Sequence, residues 1–273
     1  MAHRNTASDR SYSLVMGSLA GLGLLILIGP VIVVVLSSFT SASVLKFPPP
    51  GLSLRWYEAL FDPARSGHIH VALSNSLWVA LIATGFAVVL ATLAALALGR
   101  ANRPAARALE AGFLSPLILP GLAYGLATLM YFSIAGFRPS LNLLIAGHVV
   151  VIAPYVFRTT LASLTQLDPA LHESSASLGA GKLYAFRRIT LPIIAPGIAA
   201  GAFLAFVASM DNVPVSLFLT NARTNMLPIR MWGMMESQLD VRVAAMSGAL
   251  IVVVLSGMIV MDRLTGLTRR MSF

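Results

Sequence analysis

Long apolar stretches recur along this chain, and they constrain its fold more than any other feature. Six of them have about the length of roughly 20 residues or more that an α-helix needs to cross the hydrocarbon core of a membrane. Charged residues make up only 11% of the chain, whereas soluble domains carry about 25%. The sequence therefore predicts an all-α membrane protein with six transmembrane helices. Their approximate bounds are 14–36, 73–98, 111–134, 141–164, 192–219 and 243–261.

Proline interrupts some of these stretches without excluding them from the membrane. Pro116 and Pro120 are predicted to break the third stretch, and Pro154 lies within the fourth. Proline removes a backbone donor and kinks a helix, but neighbouring helices can satisfy the freed groups inside a membrane protein. We expect the first stretch to remain as a helix, because its apolar run at 14–36 exceeds the 7–15 residues of a signal peptide core.

The distribution of lysine and arginine predicts the orientation of the chain. With the N-terminus inside, twelve of the 19 basic residues fall in inside segments, and cytoplasmic loops carry such an excess. We therefore expect a multi-pass membrane protein with both termini in the cytoplasm. This topology gives a cytoplasmic segment at 1–13, a transmembrane domain at 14–264 and a cytoplasmic tail at 265–273. The inside residues are Arg4, Arg10, Arg100, Arg103, Arg107, Arg158, Lys182, Arg187, Arg188, Arg263, Arg269 and Arg270.

One polar segment, residues 166–191, separates the fourth and fifth apolar stretches. Asp168 followed by Pro169 is a strong helix start, since aspartate caps a helix and proline suits its first position. Gly179 suits a helix end, where a left-handed residue is often required. A second short helix is predicted over 182–189, with Pro192 beginning the next span. Two short exposed helices are suited to docking into a groove on another protein.

The spacing within this segment closely resembles the EAA loop of the permeases of binding-protein-dependent ABC importers. In that loop a glycine follows the glutamate by six positions, and Ile-x-Leu-Pro follows the glycine by ten. Ser174 and Ser175 depart from the family, which usually has alanine there, but both are small enough for close packing. The positions that fall on the motif are Glu173, Ser174, Ser175, Ala176, Gly179, Ile189, Leu191 and Pro192.

The resemblance extends to the spermidine/putrescine-type permeases. It is carried by residues 209–220, by Leu-Pro-Ile-Arg-Met-Trp at 227–232 and by Asn75-Ser76-Leu77. It implies a bacterial inner (plasma) membrane protein with the type I importer permease fold, a core of about five helices and a cytoplasmic coupling helix between the fourth and fifth spans. The implied function is the permease subunit of an ATP-driven importer for polyamines or a related small amine. Related permeases carry opines, phosphonates, thiamine or ferric iron, which remain alternatives.

The resemblance also implies partners and cofactors. The chain has no Gly-x-x-x-x-Gly-Lys phosphate loop, so we expect no enzymatic activity and no bound cofactor in this chain. ATP and Mg²⁺ would be held by two separate ATP-binding subunits. A second, homologous permease, most simply a different chain, and an extracytoplasmic substrate-binding protein would complete the complex within the lipid bilayer. Nucleic acid is not an expected partner, because the basic residues are dispersed along the chain.

Two other classes of function compete with this interpretation. An ion-coupled secondary transporter would show inverted repeats and more acidic residues within its spans. An intramembrane enzyme would need a Ser/His pair or a His-Glu-x-x-His sequence, and the latter is not present. No metal site is predicted, since His68 and His70 have no third ligand near them in the sequence.

Asp211 is the one carboxylate predicted well inside a membrane span, and Asn212 follows it. An ionised group there is costly and commonly functional. It could line the translocation pathway and offset the desolvation of a cationic substrate. The alternative is structural: the carboxylate could bond Asn212, a serine or Arg158, or cap a helix broken near Pro214. For His148 in the fourth span, a hydrogen bond between helices is the expected role.

Overall fold

The computed structural model describes residues 7–99, 101, 103–221 and 224–266, and its regular elements there are helices. This confirms the predicted all-α class. Arg4, Arg100, Arg223 and most of the predicted tail at 265–273 lie outside the described residues, as do the first six residues of the segment 1–13. The α-helices are α1 (Ala7–Ser38), α2 (Arg55–Phe61), α3 (Pro63–Leu98), α4 (Pro104–Leu114), α5 (Gly121–Ile134), α6 (Leu141–Leu164), α7 (Pro169–Ser177), α8 (Lys182–Ala185), α9 (Leu191–Met210), α10 (Val213–Leu219), α11 (Leu227–Gln238) and α12 (Arg242–Thr265).

Five helical runs of the described chain are long and apolar enough to cross a membrane, and a sixth span is possible if one bent pair of helices is counted together. The fourth predicted span, 141–164, has the same bounds as α6. Arg158, which the topology count treated as a loop residue, lies inside that helix. The first and sixth spans correspond to the continuous helices α1 and α12, which extend beyond their predicted bounds. The second span lies within α3, which begins ten residues earlier, at Pro63, and is kinked at Ser66, where the backbone leaves helical geometry.

The third predicted span is two helices rather than one. α4 continues into a 3₁₀ turn at Ser115–Leu117, and α5 then leaves at an angle of 105°. Pro116 and Pro120 flank the bend, as expected, because neither can donate the backbone bond that continues a helix. α5 has 14 residues, or about 21 Å of helix, less than the roughly 30 Å of a bilayer core.

The fifth predicted span differs at both ends. α8 is not a separate helix, because a π-helical turn at Phe186–Thr190 joins it to α9, and the helical run extends from Lys182 to Met210. Pro192 therefore lies inside that run rather than at its start. The wider π turn directly precedes the proline, which is where its ring would otherwise clash with an α-helical carbonyl. Beyond Met210 the helix breaks, and α10 begins at Val213.

The described chain forms two compact units. The first comprises residues 7–66 and 234–252. Here the segment between α1 and α2 folds back on the end of α1: Ser41 N donates to Gly51 O at 2.9 Å, and Tyr57 Oη of α2 donates to Ser38 Oγ at 2.8 Å. A side chain at Gly248 would collide with that tyrosine hydroxyl.

The second unit comprises residues 67–233 and 253–266, and it holds a core of α3, α6 and α9. A stripe of alanines on α3, fully buried, packs against Val156 and Phe157 of α6. α6 and α9 approach most closely at Gly197 and Gly201, where any side chain would meet the backbone of α6. The alanines of the stripe are Ala83, Ala87, Ala91 and Ala95.

Candidate functional site

α7 begins and ends as its sequence predicts. The Asp168 carboxylate accepts a hydrogen bond from Ala170 N at 2.9 Å, and Pro169 occupies the first turn. At the other end Gly179 has φ +82°, in the left-handed region that glycine adopts without strain. Gly179 N donates to Ala176 O at 2.9 Å, and Ala180 N donates to Ser175 O at 3.0 Å. These bonds satisfy carbonyls that a helix end leaves unpaired.

Glu173 and the small residues of the motif separate into an exposed and a buried set. Glu173, Ser174 and Ala176 are exposed, whereas Ser175 is buried against the rest of the unit. A side chain at Gly179 would meet nothing within 4 Å. This face of α7 is therefore open for contact with another molecule.

Apolar side chains surround this face, and sequence reasoning did not select them as functional. Leu178 is 88% exposed, Leu183 70% and Tyr184 61%. Such exposed apolar side chains in a polar segment are typical of an interaction surface. The sequence signal was their position close to the helix-ending glycine: Leu178 directly precedes it, and Leu183 and Tyr184 follow within five residues. We name Glu173, Leu178, Leu183 and Tyr184 the coupling surface.

The base of the loop is tied together by a polar contact over a cavity. His172 Nε2 and Thr190 Oγ1 lie 3.2 Å apart, which links α7 to the π turn. Ile189 of the motif is half-buried there, while Leu191 and Pro192 are exposed on the first turn of α9. The cavity has a volume of about 420 Å³ and is lined by Leu96, His172, Ala176, Ala180, Lys182, Ala185, Phe186 and Thr190.

The second candidate region is the interruption between α9 and α10. Asn212 caps α10: its Oδ1 accepts from Val215 N at 2.9 Å. Val213 N donates to Asp211 O at 2.9 Å, a three-residue turn that reverses the local direction of the backbone. Pro214 stands in the first turn of α10, where its missing donor costs nothing. We name residues 209–216 the helix break.

His148 of α6 joins both sides of the helix break. Its Nδ1 lies 2.8 Å from Ser209 Oγ, and its Nε2 lies 3.2 Å from Ser216 Oγ. All three side chains are fully buried. His148 thus makes the expected hydrogen bond between helices, and it makes two such bonds, one to each side of the break.

Asp211 lies at the centre of the helix break and is exposed. Among the residues that the structure describes, its carboxylate has no hydrogen-bond or ion-pair partner. The capping role foreseen as an alternative for Asp211 is filled by Asn212 instead. A carboxylate without a protein partner is available to a ligand.

The bend between α4 and α5 lies against the helix break. A side chain at Gly121 would meet Pro214 Cγ at 2.9 Å, and one at Gly125 would meet Pro214 O at 2.6 Å. A side chain at Gly125 would also collide with Phe218. α5 and α10 therefore run side by side from their first turns. Two interrupted helices therefore adjoin at one place.

The packed pair of α6 and α9 connects the two candidate regions. α6 ends at Leu164, just before the polar segment 166–191 that carries the coupling surface (the coupling segment), and His148 lies toward the other end of α6. α9 leaves the coupling segment at Leu191 and ends at the helix break. Gly197 and Gly201 bring the two helices into close contact near the coupling segment, and Ala205 continues the packing against α6.

Comparison with known proteins gives relatives of one kind. The spermidine/putrescine transport system permease protein PotC of Escherichia coli (strain K12) is 29% identical over 245 residues, which cover 88% of this chain and 91% of that protein. The putrescine transport system permease protein PotI of the same strain is 32% identical over 217 residues, covering 76% of this chain and 75% of that protein.

Solved structures share the fold. A bacterial ABC transporter involved in the import of the acidic polysaccharide alginate matches 97% of this chain and 99% of its own, with a TM-score of 0.70 at 16% identity. An amino acid ABC transporter matches 76% of this chain and 95% of its own, with a TM-score of 0.57 at 16% identity.

The family model described as the inner membrane component of binding-protein-dependent transport systems matches residues 69–270, which include the coupling surface and the helix break. The chain therefore belongs to this family, and it is a permease component of an ABC importer.

Proposed function

We propose that this chain is one permease of an ATP-driven importer for polyamines or a closely related small amine. The observation that carries the proposal is the similarity, along most of the chain, to PotC and PotI, which are named for the transport of spermidine and putrescine. Such substrates are flexible cations, and an exposed carboxylate without a protein partner is the chemistry that would accept them on their way through the membrane.

The coupling surface is the proposed docking site for an ATP-binding subunit. Glu173 offers a charge, and Leu178 offers an apolar side chain at the end of a short capped helix. ATP and Mg²⁺ would be bound by that subunit. The movement of the ATP-binding subunit would then be transmitted through α6 and α9, which flank the coupling segment in the sequence and pack against each other.

The proposed complex contains two ATP-binding subunits, a second homologous permease and a substrate-binding protein on the outer side. Of these, the binding-protein partner accords with the family and with a related alginate transporter solved in complex with its periplasmic protein. The basic-residue bias favours a cytoplasmic coupling surface and cytoplasmic termini.

Reconstitution into proteoliposomes tests this assembly. We expect ATP-driven uptake of radiolabelled putrescine only when all four kinds of subunit are present and ATP is supplied on the side of the coupling surface. A cysteine introduced at Ser177 identifies that side, because the chain has no other cysteine. Full uptake without the second permease would show that two copies of this chain suffice, as a homodimer, and that a heterodimer of two different permeases is not required. Uptake powered by ATP on the opposite side would overturn the orientation.

Asp211 is the proposed contact of the pathway with a cationic substrate. Asp211→Asn keeps the size of the side chain and removes its charge. We expect this variant to assemble normally and to lower putrescine uptake about tenfold or more, because a desolvated cation loses its countercharge. Normal uptake by Asp211→Asn would rule out the pathway role, and a loss of assembled complex would indicate the structural role instead.

A further inference from the structure

The helix break is held by an imidazole that lies outside the broken helices themselves. His148 belongs to α6, Ser209 to the last turn of α9 and Ser216 to α10. One ring nitrogen contacts each serine hydroxyl, at 2.8 Å and 3.2 Å. A histidine can donate from one ring nitrogen and accept at the other, so one side chain satisfies hydroxyls on both sides of the break.

The ring lies where α6 packs closely against α10. The preceding residue is Gly147, where a side chain would meet Leu219 Cδ1 at 2.8 Å and Val215 Cγ1 at 2.9 Å. α6 thus approaches α10 so closely that the glycine backbone contacts it, and the imidazole is fully buried beside that contact. If the break straightened or opened, at least one buried polar group would lose its partner, which is costly in an apolar interior.

The residues between the two serines include the proposed pathway carboxylate. Asp211 is two residues from Ser209 and precedes the Asn212 cap. With Ser209 and Ser216 fixed to one ring, the backbone between them has little freedom to reorient. The exposed position of Asp211 therefore follows from the cross-link that His148 makes.

We propose that His148 is a positioning residue for transport: by bonding Ser209 and Ser216 across the helix break, it holds Asp211 where a cationic substrate can reach it. The proposal rests on the proposed pathway role of Asp211. His148 touches no substrate in this account. It acts through the geometry of the break, and that distinction sets the design of the test.

The test compares variants of His148 in the complete complex reconstituted in proteoliposomes. The readout is radiolabelled putrescine moved per ATP hydrolysed, a ratio that the amount of assembled complex does not change. We expect His148→Leu, which fills similar space without polar atoms, to lower this ratio about tenfold, since a small displacement of a contact group has effects of this size. His148→Gln, which retains a donor and an acceptor, should restore most of it.

Thr160 provides a matched control on the same helix. It is fully buried in α6, and its hydroxyl has no hydrogen-bond partner in the described structure. Thr160→Val therefore removes a buried hydroxyl without breaking a bond, and transport per ATP should stay within about twofold of the unmodified complex. An equal loss in Thr160→Val and His148→Leu would overturn the proposal, because any polar change in α6 would then suffice.

A double variant tests whether His148 acts through Asp211. In an Asp211→Asn background, His148→Leu should add little further loss, since residues that act through one another are not additive. Additive losses would overturn the proposal. If His148→Leu does not assemble, Ser209→Ala and Ser216→Ala each remove one bond and keep the ring, and unchanged transport per ATP in both would overturn it.

Failure of this inference is distinguishable from failure of the proposed function. If Asp211→Asn impairs uptake and His148→Leu does not, the pathway role stands and the positioning role is wrong. If Asp211→Asn transports normally, the pathway role fails, and the positioning role fails with it.

Discussion

The coupling surface lies on short helices between two long ones, and the helix break lies between α9 and α10, yet the two regions are built in opposite ways. The coupling surface is exposed, and its shape follows from local backbone features: the Asp168 cap and the positive φ of Gly179. The helix break is buried on one side, and its shape follows from His148, which is 61 and 68 residues away in sequence from the serines it bonds. The exposed surface is thus specified locally, whereas a break in an apolar helical run needs a distant side chain to satisfy its polar groups.

The connection between the regions depends on close packing. Gly197 and Gly201 allow the backbones of α6 and α9 to approach, and small residues commonly mediate such contacts between membrane helices. If the coupling surface docks an ATP-binding subunit as proposed, this closely packed pair of helices would let the docking influence the buried break without a chain of polar contacts between them.

The largest effect on uptake is expected from a change at the exposed coupling surface. Glu173→Lys reverses the charge of the coupling surface, and we expect putrescine uptake to fall by more than about tenfold because like charges would then meet at the docking site. Glu173→Gln should have a smaller effect, since it removes the charge without reversing it. Uptake in proteoliposomes, normalised to assembled complex, measures both. Equal uptake by Glu173→Lys and the unmodified chain would show that this carboxylate faces no partner.

A second change separates backbone strain from crowding at the same surface. Gly179→Phe places a side chain at φ +82°, and we expect a backbone cost of about 1–2 kcal/mol and a several-fold loss of uptake. Gly179→Asn should retain most of the uptake, because asparagine tolerates the left-handed region. The chain itself leaves open space at this position. If Gly179→Asn fails as badly as Gly179→Phe, the constraint is contact with the partner rather than the backbone.

The smallest effect is expected on stability, when the helix cap of each region is removed. Asp168 and Asn212 each accept a hydrogen bond of 2.9 Å from a helix N-terminus, but only Asn212 is buried. Asn212→Ala should lower the stability of the assembled complex by about 1 kcal/mol more than Asp168→Ala, since water can replace the cap only at the exposed helix. Thermal unfolding in detergent measures the difference. An equal shift for both variants would mean that the helix break is accessible to water.

The sequence predicted the parts of this fold that local rules control. The bounds of α6, the start of α7 at Asp168 and its end at Gly179 follow from hydropathy, capping and glycine geometry. The bend at Pro116 and Pro120 was also foreseen, although not its angle. The continuation of α8 into α9 was missed, because the π turn that accommodates Pro192 is a choice between two helical geometries that composition does not distinguish.

The sequence by itself determined that the chain crosses a membrane, and the spacing from Glu173 to Pro192 indicated the importer family. Tertiary structure decided which side chains are left without partners and which are joined. It gave Asn212 the cap and left the Asp211 carboxylate unpaired within the described chain, and it set His148 across the helix break. The physical reason is that hydropathy and capping act over a few neighbouring residues, whereas a buried hydrogen bond depends on how helices far apart in sequence pack together.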